Sequence, residues 1–154
     1  MRNQKILVPY NFTKKDDQAL DFVIDTFANQ KEIEITLFFT YVSVPEIDIK
    51  NNPIMEKMAG NLTFLRAEIS KLEEALKNAK QKLVLNGFQS SSVHCIFKPK
   101  VKDIAHDIIN TVQEGKFDIV VLNRKPGKIS RFFTGSIFDK VVTLLKDVTV
   151  CIVT

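Results

Sequence analysis

The stretch Lys5-Ile6-Leu7-Val8-Pro9-Tyr10-Asn11-Phe12-Thr13 predicts how the chain folds, because a short apolar run passes directly into the first residue of a helix. Residues 5–10 are typical of a strand that is buried on both faces of a sheet. Thr13 predicts a helix N-cap, and Asp16, three residues later, predicts its capping-box partner. Apolar residues then recur at helical spacing as far as Phe27, which indicates an amphipathic helix.

The alternation of strand and helix continues to the end of the chain. Apolar and β-branched runs predict four more strands, over residues 33–43, 93–97, 117–122 and 148–153. Helices are expected in the intervals, and each right-handed crossover returns the chain to the same end of the sheet. The sequence therefore predicts an α/β fold with a doubly wound parallel five-stranded sheet.

The longest helix is expected over residues 61–86, with Asn86-Gly87 at its end. Its apolar residues are three and four positions apart: Leu62, Leu65, Ile69, Leu72, Leu76, Ala79 and Leu83. This stripe fits a coiled-coil seam or a helix that lies on a sheet, and we favour the sheet. A helix of this length spans about 40 Å, while a short strand spans under about 20 Å. One end of the helix should therefore extend beyond the sheet.

Two shorter helices and the cysteines complete this prediction. The third helix is expected to end at Gly115 and to bury Val101, Ala105, Ile108 and Val112. The fourth is expected to begin at Gly135-Ser136, with Asp139 as its capping partner, and to bury Val141, Val142 and Leu145. Both cysteines, Cys95 and Cys151, lie in strand-like runs and are expected to be buried thiols.

Length and composition are those of one globular domain over residues 1–154. The chain is 45% apolar and 26% charged, which excludes collagen-like, disulfide-scaffold and wholly disordered classes. No apolar run approaches the roughly 20 residues that span a bilayer. We therefore expect a soluble, cytoplasmic protein that does not bind a membrane.

The basic excess of the chain lies in one segment. Lys and Arg number 22 against 18 Asp and Glu, and residues 124–131 contain four basic residues and no acid. In parallel α/β sheets, ligands bind beyond the carboxyl ends of the strands. The candidate segments are residues 9–13, 40–42 and 122–136. A basic loop in this position favours an anion site over a merely solvated surface.

Four segments, in order and at near-correct spacing, are similar to motifs of the universal stress protein family. Residues 5–13 resemble its I-L-V-P-x-D-x-S start, and residues 117–123 resemble its A-D-L-I-V-M-G strand. Gly135-Ser136-Ile137-Phe138-Asp139-Lys140-Val141 matches its G-S-V-x-x-x-V helix start. Residues 148–153 correspond to its C-P-V-L-V-V terminal strand. The resemblance covers essentially the whole chain.

This resemblance implies a sheet in the order 3-2-1-4-5, of the adenine-nucleotide alpha-hydrolase-like type. It also implies a stress-response binding module that takes ATP, AMP or another phosphorylated ligand between strands 1 and 4. In one subgroup a G-x2-G-x9-G-[ST] loop holds ATP. A homodimer paired through the last strand is also implied, here with Val148, Val150 and Ile152 at the contact.

The chain departs from the nucleotide-binding pattern at several positions. Asn123 stands at the first glycine of the loop, Pro126-Gly127 at the second, and Asn11 replaces an acid near the base. Tyr41 replaces a small aliphatic residue. Pro126 has no backbone N–H to donate to a phosphate, and basic side chains could bind the phosphate in its place. The candidate nucleotide or phosphate site comprises Pro9, Asn11, Tyr41, Leu122, Asn123, Arg124, Lys125, Gly127, Lys128, Gly135, Ser136 and Ile137.

The sequence offers little catalytic chemistry. A P-loop and a dinucleotide fingerprint are missing from it, and two histidines without clustered ligands predict no metal site. His94 and Cys95 are strand neighbours and should point to opposite faces. At most slow ATP hydrolysis is expected, with no catalytic residue assigned, and nucleic acid is not an expected partner. The alternative is a nucleotide-free dimeric protein-interaction module.

Overall fold

The computed structural model describes residues 2–46, 53–123 and 137–154. Strands and helices alternate along these residues, with one short 3-10 turn at Ser90–Ser92. In chain order they are β1 (Gln4–Pro9), α1 (Lys14–Phe27), β2 (Ile33–Tyr41), α2 (Pro53–Leu85), β3 (Val93–Pro99), α3 (Ile104–Gly115), β4 (Ile119–Asn123), α4 (Ile137–Leu144) and β5 (Thr149–Val153).

The strands form one parallel sheet in the order β3-β2-β1-β4-β5, which confirms the predicted fold. β1 pairs with β2 from Gln4 opposite Ile33 to Pro9 opposite Phe38. On its other side β1 pairs with β4, with Ile6 opposite Ile119. The strand order reverses at β1, so a crevice lies beyond the carboxyl ends of β1 and β4.

Each face of the sheet is covered by two helices. Neighbouring residues of a strand point to opposite faces, so Ile6 and Val8 pack with α1 and α2, while Leu7 packs with α3 and α4. Leu20 of α1 and Val141 of α4 are buried on their respective sides. Burial of β1 on both faces explains its uninterrupted apolar run.

The predicted start of α1 at Thr13 and the predicted end of α2 at Asn86-Gly87 are both confirmed. The Asp16 backbone N–H donates to Thr13 Oγ1 at 3.3 Å, and the Thr13 N–H donates to Asp16 Oδ2 at 2.9 Å. Gly87 has φ +112°, which favours glycine, and the Phe88 N–H reaches the Leu83 carbonyl at 3.3 Å.

The predicted end of α3 at Gly115 is confirmed. Gly115 is its last helical residue, while Lys116 takes the left-handed conformation, with φ 52°. A Cβ at Gly115 would lie 2.4 Å from the Phe117 ring. Glycine is required there by the close approach of an aromatic ring, and not by the turn.

Several predicted details are wrong. Val101 is 82% exposed because α3 begins only after the Asp103 N-cap, and Val142 of α4 is exposed beside the buried Val141. Cys95 is exposed on β3, an edge strand, and Cys151 is half-buried on β5, the other edge. An edge strand has a neighbour on one side only, so an apolar run does not guarantee burial there.

α2 begins at Pro53, eight residues earlier than predicted, and extends beyond the sheet as expected. Its second half packs on the sheet through Leu76, Ala79 and Leu83, all buried. In the first half, Met58 and Leu65 are exposed. The apolar stripe of α2 therefore lies on the sheet, as predicted, in the C-terminal half of the helix. None of the helices in the described ranges is long and apolar enough to cross a membrane.

The two halves of α2 should contribute differently to stability. Leu76 is 1% exposed and Leu65 is 47% exposed. We expect Leu76→Ala to lower the free energy of unfolding by about 2 to 5 kcal/mol, because it leaves a cavity under the helix. Leu65→Ala, the matched control, should cost less than about 1 kcal/mol. Urea unfolding measures both, and equal losses would contradict the packing of α2.

Candidate functional site

A cavity of about 190 Å³ opens at the carboxyl edge of the sheet, between β1 and β4. The ends of β1, β2 and β4, the first turn of α1 and the first turns of α3 line it. Most of the wall is apolar and is formed by Pro9, Phe38, Phe39, Ile104, Ile108 and Leu122. Polar groups are contributed by Asn11, Thr13, Asp16, Thr40 and Asn123. A few polar groups in a mostly apolar concavity are typical of a small-molecule site.

The Asp16 carboxylate is the most buried charge in the cavity wall, at 2% exposure. Asp16 Oδ2 accepts hydrogen bonds from the Thr13 N–H at 2.9 Å and from the Thr13 hydroxyl at 2.6 Å. Asp16 Oδ1 accepts one from the side-chain amide of Asn123. These donors replace the water that the carboxylate loses on burial. They also join the start of α1 to the last residue of β4.

Three aromatic side chains pack together next to the cavity, and two of them, Tyr10 and Phe39, belong to its lining. Phe12 makes edge contacts with Tyr10 and Phe39, each with ring centroids 5.1 Å apart. The backbone of Phe12 has φ 59°, a conformation that bulky residues rarely adopt. Such strain is held in place by surrounding contacts and is concentrated at functional sites in proteins.

Tyr10 is a neutral phenol in this setting. Its hydroxyl donates to Asp17 Oδ1 at 2.7 Å. Burial and this hydrogen bond to a carboxylate raise the pKa of Tyr10 well above its usual value. Tyr10 therefore keeps its proton and fixes the loop between β1 and α1.

The start of α3, which carries Ile104 into the cavity wall, is held by Asp103. The His106 N–H donates to Asp103 Oδ1 at 2.9 Å and lowers the pKa of Asp103 to about 2. Lys140 of α4 lies 3.5 Å from the other carboxylate oxygen. Asp103 thus fixes one wall of the cavity and links α3 to α4.

Thr40 contributes a buried polar group to the cavity wall near the end of β2. The residue is 7% exposed, and its hydroxyl has no hydrogen-bond partner within the described part of the chain. The sequence predicts instead that the next residue, Tyr41, lies beside the base. In the structure Tyr41 stacks on Phe97, with centroids 4.9 Å apart, and does not line the cavity.

The other eleven candidate residues divide into three sets by their place in the chain. Pro9, Asn11, Leu122 and Asn123 come together around the cavity, although the first two lie at and just after the end of β1 and the other two at the end of β4. Ile137 is the first residue of α4. Six candidates lie outside the described residues, namely Arg124, Lys125, Gly127, Lys128, Gly135 and Ser136.

Sequence reasoning missed Asp16 and Thr40 as parts of the cavity wall. Asp16 was recognised only as a capping residue, although its position at the start of α1 also places it beside β4. Thr40 lies within the candidate segment 40–42, and the strict alternation of side chains along a strand could have drawn attention to it.

The chain was compared with known proteins. The model of the Universal stress protein family matches residues 2–151. UspA from Lactobacillus plantarum has 18% identity and a TM-score of 0.68, over 100% of this chain and 99% of that one. A universal stress protein from Archaeoglobus fulgidus in complex with dAMP has 15% identity and a TM-score of 0.66, over 100% of both chains. Curated protein sequences gave no match.

A third structure is a universal stress protein family protein from Arabidopsis thaliana with AMP bound. It has 17% identity and a TM-score of 0.58, over 97% of this chain and 90% of that one. At these identities the structures show a shared fold, while the family match spans nearly the whole sequence. The chain therefore belongs to the universal stress protein family.

Proposed function

We propose that this protein is a regulatory binding module that takes an adenine nucleotide or a related phosphorylated ligand in the crevice between β1 and β4. The observation that carries the proposal is the cavity at the carboxyl ends of these strands. It lies where strand order reverses, the position at which open α/β sheets bind ligands. The AMP and dAMP complexes of relatives support the same ligand class.

The cavity has the size of a ring and not of a whole nucleotide. Its volume is about 190 Å³, and an apolar cavity of about 150 Å³ is known to hold benzene. We propose that the base enters the cavity against Pro9, Leu122 and Ile108, with Asn11 at its mouth. The ribose and phosphate then extend outward.

The phosphate is proposed to meet the segment that follows β4. Residues 124–131 carry four basic residues, and the cavity wall provides only the negative charge of Asp16 among the described lining residues. The chain continues through Gly135 and Ser136 into α4, whose N-terminus carries partial positive charge. Arg124, Lys125 and Lys128 would bind phosphate oxygens through their side chains.

Calorimetry with AMP, ATP and pyrophosphate, each at two ionic strengths, tests this proposal. We expect binding that weakens as salt rises, because charged contacts on a surface are screened. The double variant Lys125→Ala, Lys128→Ala should weaken AMP binding by about tenfold or more, since each lost charged contact costs roughly 1 kcal/mol. A second double variant, Lys71→Ala and Lys77→Ala on the exposed side of α2, is the control and should bind AMP normally.

The absence of heat or any other binding signal with all three ligands would overturn the proposal. If AMP binds but its affinity is unaffected by salt and by the Lys125 and Lys128 changes, the cavity remains the proposed site and the basic segment is not part of it.

The edge strand β5 supports the second candidate, a dimeric interaction module that needs no nucleotide. β5 pairs only with β4 in the described sheet, and Ile152 is 41% exposed. Val148 and Val150 are half-buried and pack against the core beneath α3 and α4. A bare apolar edge promotes association. We propose that two copies pair through β5, chiefly at Ile152, in a two-fold contact.

Sedimentation at micromolar concentration tests the dimer. We expect a mass near 35 kDa, twice the 17.6 kDa of one chain. Ile152→Lys should shift the protein towards monomer, because it places a charge in the contact. Leu85→Lys changes an exposed apolar residue on α2 and should leave the mass unchanged. A wild-type protein that sediments as a monomer would remove the dimer.

A further inference from the structure

The hydroxyl of Thr40 is a buried polar group for which the fold gives no structural reason. It lies at the end of β2, at the wall of the cavity, with no hydrogen-bond partner in residues 2–46, 53–123 and 137–154. Buried polar atoms are almost always paired, because an unpaired one loses its hydrogen bonds to water. An isosteric valine would fit a strand at least as well and would carry no such cost.

Thr111 is a buried threonine of this chain whose hydroxyl is paired in the usual way. Thr111 of α3, 5% exposed, donates to the Asp107 carbonyl at 2.7 Å and accepts from Lys98 Nζ at 3.3 Å. Among the residues that the structure describes, Thr40 Oγ1 is the one fully buried side-chain oxygen or nitrogen without a partner, and Thr40 belongs to the cavity wall. This combination points to a hydrogen-bond partner that the ligand brings.

We propose that Thr40 is a specificity-determining residue whose hydroxyl hydrogen-bonds to the edge of the ring that fills the cavity. The inference rests on the proposed function and refines it. A hydroxyl both donates and accepts, so it is satisfied by a heteroaromatic ring with polar atoms at its edge, such as a nucleobase. A purely hydrocarbon ring would leave it unpaired.

The position of Thr40 also orients the ligand. Thr40 lies on β2, while the basic segment follows β4, and β1 lies between these strands. Neighbouring strands are about 4.8 Å apart, so the carboxyl ends of β2 and β4 are separated by about 10 Å. The ring edge is therefore directed to β2 and the phosphate to β4.

The test combines ligand binding with thermal unfolding of the ligand-free protein. Thr40→Val should weaken AMP binding about fivefold to tenfold, the effect of one hydrogen bond. The same change should raise the melting temperature or leave it unchanged, because it removes an unsatisfied group. Thr40→Ser keeps the hydroxyl and should keep AMP affinity within about threefold of wild type. Thr111→Val, the matched control, should lower the melting temperature and leave AMP affinity unchanged.

Ribose 5-phosphate, which has the phosphate but no base, distinguishes the contribution of the ring to binding from that of the phosphate. Its binding should be the same in wild type and in Thr40→Val, since it has no base to meet Thr40. Wild-type AMP binding that persists unaltered in Thr40→Val would overturn the inference and leave the proposed function standing. A wild-type protein that binds neither AMP nor ribose 5-phosphate would overturn both. A Thr40→Val protein that melts markedly lower would show a structural role and would also contradict the inference.

Discussion

The buried carboxylate of Asp16 holds together the edge of the sheet on which the candidate site is built. It accepts hydrogen bonds from the backbone and side chain of Thr13 and from the side-chain amide of Asn123. A buried carboxylate is stable only while such donors surround it. The start of α1 and the end of β4 are thereby fixed relative to each other, and the cavity lies between them.

The hydrogen bond with Asp16 also occupies the side-chain amide of Asn123. In the nucleotide-binding pattern that the sequence resembles, a glycine stands at this position and leaves room for a ligand. Here the Asn123 amide donates to Asp16. Our proposal therefore gives recognition of phosphate to the basic residues 124–131. It gives recognition of the ring to the apolar wall and Thr40, which makes no hydrogen bond with Asp16.

The sequence predicted the elements of the fold because each depends on local patterns. Uninterrupted apolar runs predicted the strands, Thr13 and Gly87 marked helix ends, and the family resemblance added the strand order. Exposure of Cys95 does not follow from its apolar run, because it depends on the edge position of β3, which only the strand order supplies. The pairing of Asp16 with Asn123 joins residues 107 positions apart, and no local pattern reports it.

Mapping of backbone amide shifts during titration with AMP tests the location of the site most directly, because it reports each residue separately. The account predicts that the largest shifts occur at Asn11, Thr40, Leu122 and Asn123, which surround the cavity from β2, β4 and the loop after β1. Small shifts are expected along the exposed half of α2. Shifts confined to β5 or α2, with the amides around the cavity unchanged, would contradict the account.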